Sequence, residues 1–293
     1  MEHNLLIYNP VSGRTGARDD YLGKVVQGLT DDGNELTVYQ TQGKGDAREY
    51  LLNRKVSCDK IICCGGDGTL HEVVNGMLNT SNQSVLGYIP SGSTNDYAKN
   101  IGINKENAIH CIKKNAVRCI DVGSLNGEYF NYVAAFGAFT NIPFTTSQKV
   151  KNVFGYFAYL LEGVKHLSDM KPRHIRFRAG DEEVEDDIVI GMVTNAFTVA
   201  GIINTHNNRT RLDDGLMEYL FIKMPQNILE LQSVIASLVS EKIDDNFMYS
   251  GQSDKIVIHS EKMEWTLDGE DGGLHEDVVI ETHSRVLNII MGL

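Results

Sequence analysis

The chain has 293 residues, of which 42% are hydrophobic and 23% charged, as is typical of a soluble globular protein of about two domains. Its 27 Lys and Arg residues against 39 Asp and Glu residues give a formal net charge of −12. This balance argues against a general nucleic-acid binder and against broad electrostatic adhesion to anionic lipid. We expect neither secretion nor a membrane span, because the start lacks a basic leader and no apolar run approaches ~20 residues.

The first part of the chain, up to about residue 125, alternates short β-rich runs with helical patterns. The predicted strands are 5–9, 35–41, 60–64 and 85–89, and the predicted helices are one within 17–29 and others at 46–53, 70–78 and 108–114. Strand–helix alternation at this spacing favours right-handed βαβ units. The sequence therefore predicts an α/β domain with a layered parallel sheet over residues 1–125.

After residue 125 extended runs predominate. Asn126-Gly127, a dipeptide favoured in tight hairpins, separates predicted strands at 119–125 and 129–135. Further strands are predicted at 174–179, 185–194, 215–223, 255–259, 263–267, 278–282 and 286–291, with helices at 149–166 and 227–240. The pattern predicts a second, mainly antiparallel β-sandwich domain over residues 126–293, and a binding site in the cleft between the domains is the expectation.

The five cysteines and nine histidines suggest neither disulfides nor a metal centre. The cysteines are odd in number and form no C-x-x-C pair, and no histidine pairs with a cysteine at zinc spacing. Buried, reduced thiols in a cytoplasmic protein are the expectation.

The most informative segment is Gly65-Gly66-Asp67-Gly68-Thr69-Leu70, between a predicted buried strand and a helix start. Glycines let backbone N–H groups approach a ligand closely, and a helix N-terminus favours an anion. Asp67 suits such a site only if a divalent cation bridges it to phosphate. An ordinary strand-to-helix turn with a solvated Asp67 is the simpler alternative.

Polar loops follow the other predicted parallel strands. Asn9-Pro10-Val11-Ser12-Gly13 follows the first strand, Thr41 ends the second, and a loop with Ser93, Asn95 and Asp96 follows the fourth. Carboxyl ends of parallel strands share one edge of a sheet, where α/β proteins bind ligands. The sequence therefore predicts a nucleotide site, although the Walker A pattern is absent.

Two acid–glycine clusters lie in the second half of the chain. Leu212-Asp213-Asp214-Gly215 and Asp268-Gly269-Glu270 each place carboxylates beside a glycine near a predicted strand end. Phosphoryl transfer to an alcohol uses a base at the hydroxyl and a metal at the phosphate. Either cluster alone is more often a solvated turn.

Taken together, these five motifs in this order resemble the soluble bacterial diacylglycerol-kinase-like lipid kinases, which share their catalytic fold with sphingosine and ceramide kinases. The likeness extends over essentially the whole chain and implies an ATP-binding N-terminal domain, a lipid-binding second domain and transient association with the membrane that carries the lipid. It is compatible with a homodimer. Carried over, the resemblance implies nucleotide contacts at Asn9, Pro10, Val11, Ser12, Gly13, Thr41, Gly65, Gly66, Asp67, Gly68, Thr69, Leu70, His71, Glu72, Ser93, Asn95 and Asp96.

The resemblance also implies catalytic and metal-binding roles. Asp67 would organise the phosphates of Mg²⁺-ATP, and Glu270 would be the general base that takes the proton of the lipid hydroxyl. Asp214 would hold Mg²⁺ together with the main-chain carbonyls of Arg211 and Leu216, and Asp121 matches another acid of that network.

Two features concern the lipid. Relatives often carry a glycine-rich segment and a proline in the region of residues 195–210, where this chain differs, which puts acceptor recognition in doubt. Residues 153–161 are aromatic and apolar on a predicted helix, suited to an acyl-chain cleft or, more often, to a core. The function expected is transfer of the γ-phosphate of ATP to a lipid hydroxyl, that of diacylglycerol first; an NAD-kinase-like enzyme and a catalytically silent lipid- or nucleotide-binding regulator are the alternatives.

Overall fold

The structure, a computed structural model, describes residues 1–13, 18–137, 171–196, 211–240 and 243–292. The predicted helix 149–166, with its apolar stretch 153–161, and residues 197–210 of the divergent segment lie outside this part. The chain forms two compact units, the first made of Met1–Asp121 with the end of the chain from Arg285, the second of Val122–Ser284.

The first unit contains a four-stranded parallel arrangement. Its elements are β1 (His3–Tyr8), α1 (Arg18–Thr30), β2 (Glu35–Gln40), α2 (Asp46–Asn53), β3 (Lys60–Gly65), α3 (Asp67–Asn79), β4 (Val85–Pro90), α4 (Asp96–Asn100) and α5 (Ala108–Lys114). The strand order is β4-β3-β1-β2, and each neighbouring pair is parallel. Every residue of β3 is buried, as expected for a central parallel strand that is covered on both faces. The strands and helices predicted in this region form, with ends shifted by a few residues.

The end of the chain belongs to the first unit. Ile289, near the C-terminal end of the last strand, pairs in parallel with Leu86 of β4. The sequence-based boundary at 125/126 assigned this segment to the second domain, because hydrophobic alternation does not reveal which sheet a strand joins.

The second unit is mainly antiparallel, as predicted. Its elements are β5 (Val117–Leu125), which begins in the first unit, β6 (Glu128–Phe130), β7 (Val133–Gly137), β8 (Arg173–Ala179), β9 (Glu182–Thr194), β10 (Met217–Lys223), α6 (Ile228–Val239), β11 (Met248–Ser253), β12 (Lys255–Leu267) and β13 (Glu270–Ile290), which ends in the first unit. Strands β11-β10-β9-β7-β12-β13 are neighbours in that order, and β8 pairs with both β9 and β12. Alternate residues of these strands, among them Phe136, Phe177, Phe221 and Trp265, form one buried cluster.

Some predicted boundaries differ from the structure. The predicted strands 255–259 and 263–267 form the single strand β12, whose register shifts between His259 and Met263. The predicted strands 278–282 and 286–291 likewise belong to one strand, β13. Conversely, the predicted strand 129–135 is divided, because Asn131 and Tyr132 donate their amides to a side chain instead of to a neighbouring strand.

Within the described part of the chain, no helix combines the length and the apolar character that a membrane crossing requires.

Candidate functional site

The carboxyl edge of the parallel strands gathers the polar loops of the first unit. Hydrogen bonds continue past the strand ends: the amide of Asn9 donates to the carbonyl of Cys64 (2.9 Å), that of Ser91 to Gly65 (2.8 Å) and that of Thr41 to Tyr8 (2.9 Å). The loops after all four strands therefore lie side by side, in the arrangement expected from the direction of the strands.

Side chains then tie the loops to one another. The amide nitrogen Nδ2 of Asn9 donates to Oγ1 of Thr69, in the first turn of α3, at 2.8 Å. The hydroxyls of Ser12 and Ser91 are 2.6 Å apart, and either can donate. The loop after β1 is thus fixed both to the helix after β3 and to the loop after β4. We call these three loops, residues 9–13, 65–69 and 91–95, the loop cluster.

Glycines allow the backbones of the loop cluster to approach. A Cβ added at Gly92 would lie 2.6 Å from the Cα of Gly66, and one added at Gly13 would lie 2.5 Å from the carbonyl oxygen of Ser91. Gly13 also has a φ of +84°, which is strained for other residues. Asn95 closes the third loop, since its Oδ1 accepts from the Gly92 amide and its Nδ2 donates to the Gly92 carbonyl, both at 2.9 Å.

Asp67, in the second loop of the cluster, accepts hydrogen bonds from backbone donors that follow the third loop. Its carboxylate accepts the amides of Asp96 (3.2 Å) and Tyr97 (3.4 Å), which begin α4. A carboxylate at a helix N-terminus is stabilised both by the free N–H groups and by the helix dipole. Asp67 therefore fixes α4 and the preceding loop relative to α3, a structural role that the sequence pattern did not predict.

Glu72, one turn further along α3, anchors a different loop in the same way. Its two carboxylate oxygens accept the amides of Gly45 (2.7 Å) and Ala47 (3.2 Å) at the start of α2. This contact holds the segment that follows Thr41, which is itself buried. No sequence pattern indicates this pairing, because the partners are far apart in the chain and contribute only backbone amides.

The remaining predicted nucleotide contacts are distributed around the loop cluster. Ser93 and Val11 are exposed, whereas Leu70 is buried and belongs to the core. His71 lies 3.4 Å from the side chain of the buried Asn75, and Asp96 forms a 2.7 Å ion pair with Lys99.

A cavity of about 540 Å³ opens beside the loop cluster. Its polar lining is contributed mainly by Ser12, Ser91, Thr94, Lys99 and Lys105. The larger, apolar part comes from residues that include Tyr8, Tyr21, Pro90, Ala98 and Ile103. Its volume lies within the usual range of small-molecule sites. The two lysines were not among the predicted site residues, although both follow the Pro90–Asp96 motif closely.

Two titratable groups, Tyr21 in the cavity wall and Cys64 next to Gly65, stay neutral near pH 7. Burial raises the pKa of the Cys64 thiol to about 12, although the Ser91 hydroxyl and the Lys105 ammonium act in the opposite direction. Burial, followed by the nearby Cys64, also raises the pKa of Tyr21. Neither group is a candidate acid or base for chemistry at neutral pH.

In the second unit, Asp268 organises the turn that leads to Glu270. It is 3% exposed, and its carboxylate accepts the amides of Asn131 (2.7 Å), Tyr132 (3.0 Å) and Val133 (3.3 Å) as well as the Asn131 side chain (2.9 Å). Asp268 and Gly269 both have positive φ, and Glu270 follows as the half-buried first residue of β13.

The predicted metal ligands are divided between the two units. Asp214 is exposed, and its Oδ1 accepts the amide of Leu216 at 3.1 Å, while the Arg211 guanidinium lies 3.4 Å from Asp213. Asp121 is fully buried in the first unit, where its Oδ1 accepts the amide of Arg285 at 2.7 Å. No group of three or more His, Cys, Asp or Glu side chains suited to a metal occurs among the described residues.

Comparison with known proteins places this arrangement in a family. The model of the diacylglycerol kinase catalytic domain matches residues 3–125. The chain is 31% identical to a diacylglycerol kinase of Bacillus subtilis (strain 168), over 99% of this chain and 97% of that protein. It is 30% identical to a diacylglycerol kinase of Staphylococcus saprophyticus, over 92% and 88%. A solved structure of a diacylglycerol kinase from Bacillus anthracis str. Sterne matches with a TM-score of 0.77 at 26% identity, covering 99% of this chain and 97% of that one.

The chain combines a glycine-rich loop cluster on parallel strands with a β-rich second unit that bears acidic turns. It also matches diacylglycerol kinases over nearly its whole length. These features together define an ATP-dependent lipid kinase. The chain belongs to the diacylglycerol kinase family, which confirms the resemblance drawn from the five motifs.

Proposed function

We propose that the protein transfers the γ-phosphate of ATP to the free hydroxyl of diacylglycerol and so forms phosphatidic acid. The observation that carries this proposal is the loop cluster, in which three loops meet through direct hydrogen bonds at the carboxyl edge of the strands. Likeness to diacylglycerol kinases over nearly the whole chain supports the choice of acceptor.

In this proposal the first domain binds the nucleotide. Rigid loops hold the triphosphate in one orientation, and positioning of this kind is a major part of phosphoryl-transfer catalysis. We infer that helices cover both faces of its parallel strands, in the layered α/β arrangement expected from the sequence. The nucleotide contacts carried over from the family remain part of the proposal, and they include Thr41 and Ser93.

Glu270 is the proposed general base, which would accept the hydroxyl proton as the lipid oxygen attacks phosphorus. Support comes from the turn before it, since a base must be held in place and Asp268 fixes that turn through four hydrogen bonds. General-base assistance typically contributes about 10²–10⁴-fold to a rate.

The residues around Asp214 fit a magnesium ion of the kind kinases use. Mg²⁺ is commonly held by one or two carboxylates, with waters and phosphate oxygens completing its octahedron. Asp214 supplies one exposed carboxylate, of which only Oδ1 is hydrogen-bonded within the described residues. With the carbonyls of Arg211 and Leu216 it would hold Mg²⁺, which, when bound, neutralises charge on phosphate oxygens. Asp121, which the resemblance also assigns to the metal network, remains part of the proposal.

Because the acceptor resides in a bilayer, we propose that the protein binds the membrane transiently from the cytoplasm; a homodimer is compatible with this. Incubation with radiolabelled ATP, Mg²⁺ and a panel of lipids in detergent micelles tests the acceptor. We expect labelled phosphatidic acid as the main product. Labelling of NAD instead would support the small-molecule kinase, and absence of any labelled product would support a silent regulator.

The variant Glu270→Gln tests the base. We expect a fall of about 10²-fold or more in turnover with ATP binding unchanged, because glutamine preserves the shape but cannot accept the proton. Glu264→Gln, at an exposed position on β12, is the matched control and should retain full turnover. Wild-type turnover in Glu270→Gln would contradict the assignment.

A further inference from the structure

The cavity beside the loop cluster contains an exposed cation that has no role in the proposed reaction. Lys105 lines it together with the hydroxyls of Ser12, Ser91 and Thr94. Its ammonium lies 4.2 Å above the ring of Tyr21, a cation–π contact that holds the side chain toward the cavity wall. The lining combines hydroxyl groups and an ammonium, both of which bind phosphate oxygens, with apolar side chains such as Ala98 and Ile103.

The two lysines of the cavity differ in their electrostatic state. Lys99 is paired with Asp96, so part of its charge is already compensated. Within the described residues no carboxylate pairs with Lys105, although Glu106 follows it directly in the chain. The Lys105 charge reaches the base of the loop cluster, since it lowers the pKa of the Cys64 thiol immediately before Gly65.

A triphosphate in this protein needs such a cation. The chain carries a net charge of −12, and the loop cluster itself contains Asp67. Carboxylates near phosphate oxygens repel them unless cations intervene. Mg²⁺ would compensate part of this repulsion, and the Lys105 ammonium beside the loop cluster would compensate more.

We propose that the cavity is a phosphate subsite of the nucleotide site, in which the Lys105 ammonium binds the triphosphate of ATP. Ser12, Gly13 and Gly92 belong both to the loop cluster and to the cavity wall, so a nucleotide held by the loops has a continuous path to Lys105. The inference rests on the proposed function in one respect only, that the nucleotide binds at the loop cluster. It does not depend on which lipid is the acceptor.

Equilibrium binding of ATP and of adenosine to the full chain tests this subsite without any lipid. For Lys105→Met we expect ATP to bind roughly tenfold or more weakly, as removal of one charge-assisted hydrogen bond implies, with adenosine binding unchanged. Lys105→Arg should retain most of the ATP affinity because it keeps the charge. Lys55→Met is the matched control, since Lys55 is also an exposed lysine of the same unit but lines a separate cavity, and it should leave both affinities unchanged.

Three results would contradict the assignment of Lys105 to a phosphate subsite. Lys105→Met could bind ATP as the wild type does, or it could lose ATP and adenosine equally, which would indicate a general structural effect. It could also bind ATP normally but lose binding to phosphatidylglycerol vesicles, which would assign the cation to a lipid head group. Failure of the proposed lipid reaction would appear separately, as ATP binding that responds to Lys105 without any phosphorylated lipid.

Discussion

Replacing Asp268 by alanine tests how the proposed base is held. The substitution removes an acceptor that is 3% exposed and leaves three backbone amides and one side-chain amide without it. Each hydrogen bond to a charged group contributes about 1.5–3 kcal/mol, but contributions within one network are not additive. Aspartate already has this φ of +54°, so most of the backbone strain is present in the wild type and the loss comes mainly from the hydrogen bonds. We expect a total loss of about 3–5 kcal/mol, the range seen when a buried charged network is broken.

Hydrogen exchange is the most direct assay of this loss. The amides of Asn131, Tyr132 and Val133 donate to Asp268, so their exchange in Asp268→Ala should accelerate far more than that of the remote strand β1. Turnover should fall by about tenfold or more, with the KM for ATP unchanged, because the turn positions Glu270 and not the nucleotide.

Gly269→Ala provides the control for strain alone. Gly269 has a φ of +83°, and an added Cβ would meet nothing within 4 Å, so we expect a cost of about 1–2 kcal/mol from conformation alone. If Asp268→Ala destabilises no more than Gly269→Ala, and the amides of residues 131–133 stay protected, the carboxylate is not the anchor of this turn.

Three further outcomes are expected. Gly92→Ala should weaken ATP binding and lower the melting temperature, since its Cβ would lie 2.6 Å from the Cα of Gly66; unchanged affinity would separate this loop from the nucleotide. Cys64 should resist iodoacetamide at pH 8 in the folded protein, because burial raises its pKa to about 12; rapid alkylation would contradict that burial. His174 should titrate above its ordinary pKa in NMR, chiefly through Glu185, so its contribution to stability is present at low pH and disappears as pH rises through the folded-state pKa; Glu185→Gln should lower that pKa, and no change would refute the pairing.

Sequence patterns predicted well those helices and strands that depend on residues close to one another in the chain. Helices α2 and α5 form over the predicted residues 46–53 and 108–114, because their apolar spacing determines which face is buried. The grouping of loops at one edge followed from strand direction alone. Short or exposed elements escaped prediction: α4 has five residues, too few for a helical period, and β11 reads Met-Tyr-Ser-Gly-Gln-Ser, without alternation.

Contacts between distant residues could not be predicted. The partners of Glu72 are backbone amides 25 and 27 residues away, and those of Asp268 are more than 130 residues away. Every residue except proline has a backbone N–H donor, so the sequence contains no pattern from which such pairs can be inferred. The pairing of the end of β13 with β4 in the first unit could not be predicted for a similar reason, because the partners of a strand depend on the whole fold.

Hydrogen bonds from distant backbone amides to carboxylates also bear on how an acidic chain would bind the triphosphate of ATP in the proposed function. Three acids that the motifs suggested as ligand-binding or catalytic neighbours, Asp67, Glu72 and Asp268, each direct their carboxylates to two or more backbone amides. These bonds satisfy carboxylate oxygens with backbone donors. Lys105, which no described carboxylate pairs, is then the cavity cation whose removal should weaken binding of the triphosphate without destabilising the fold.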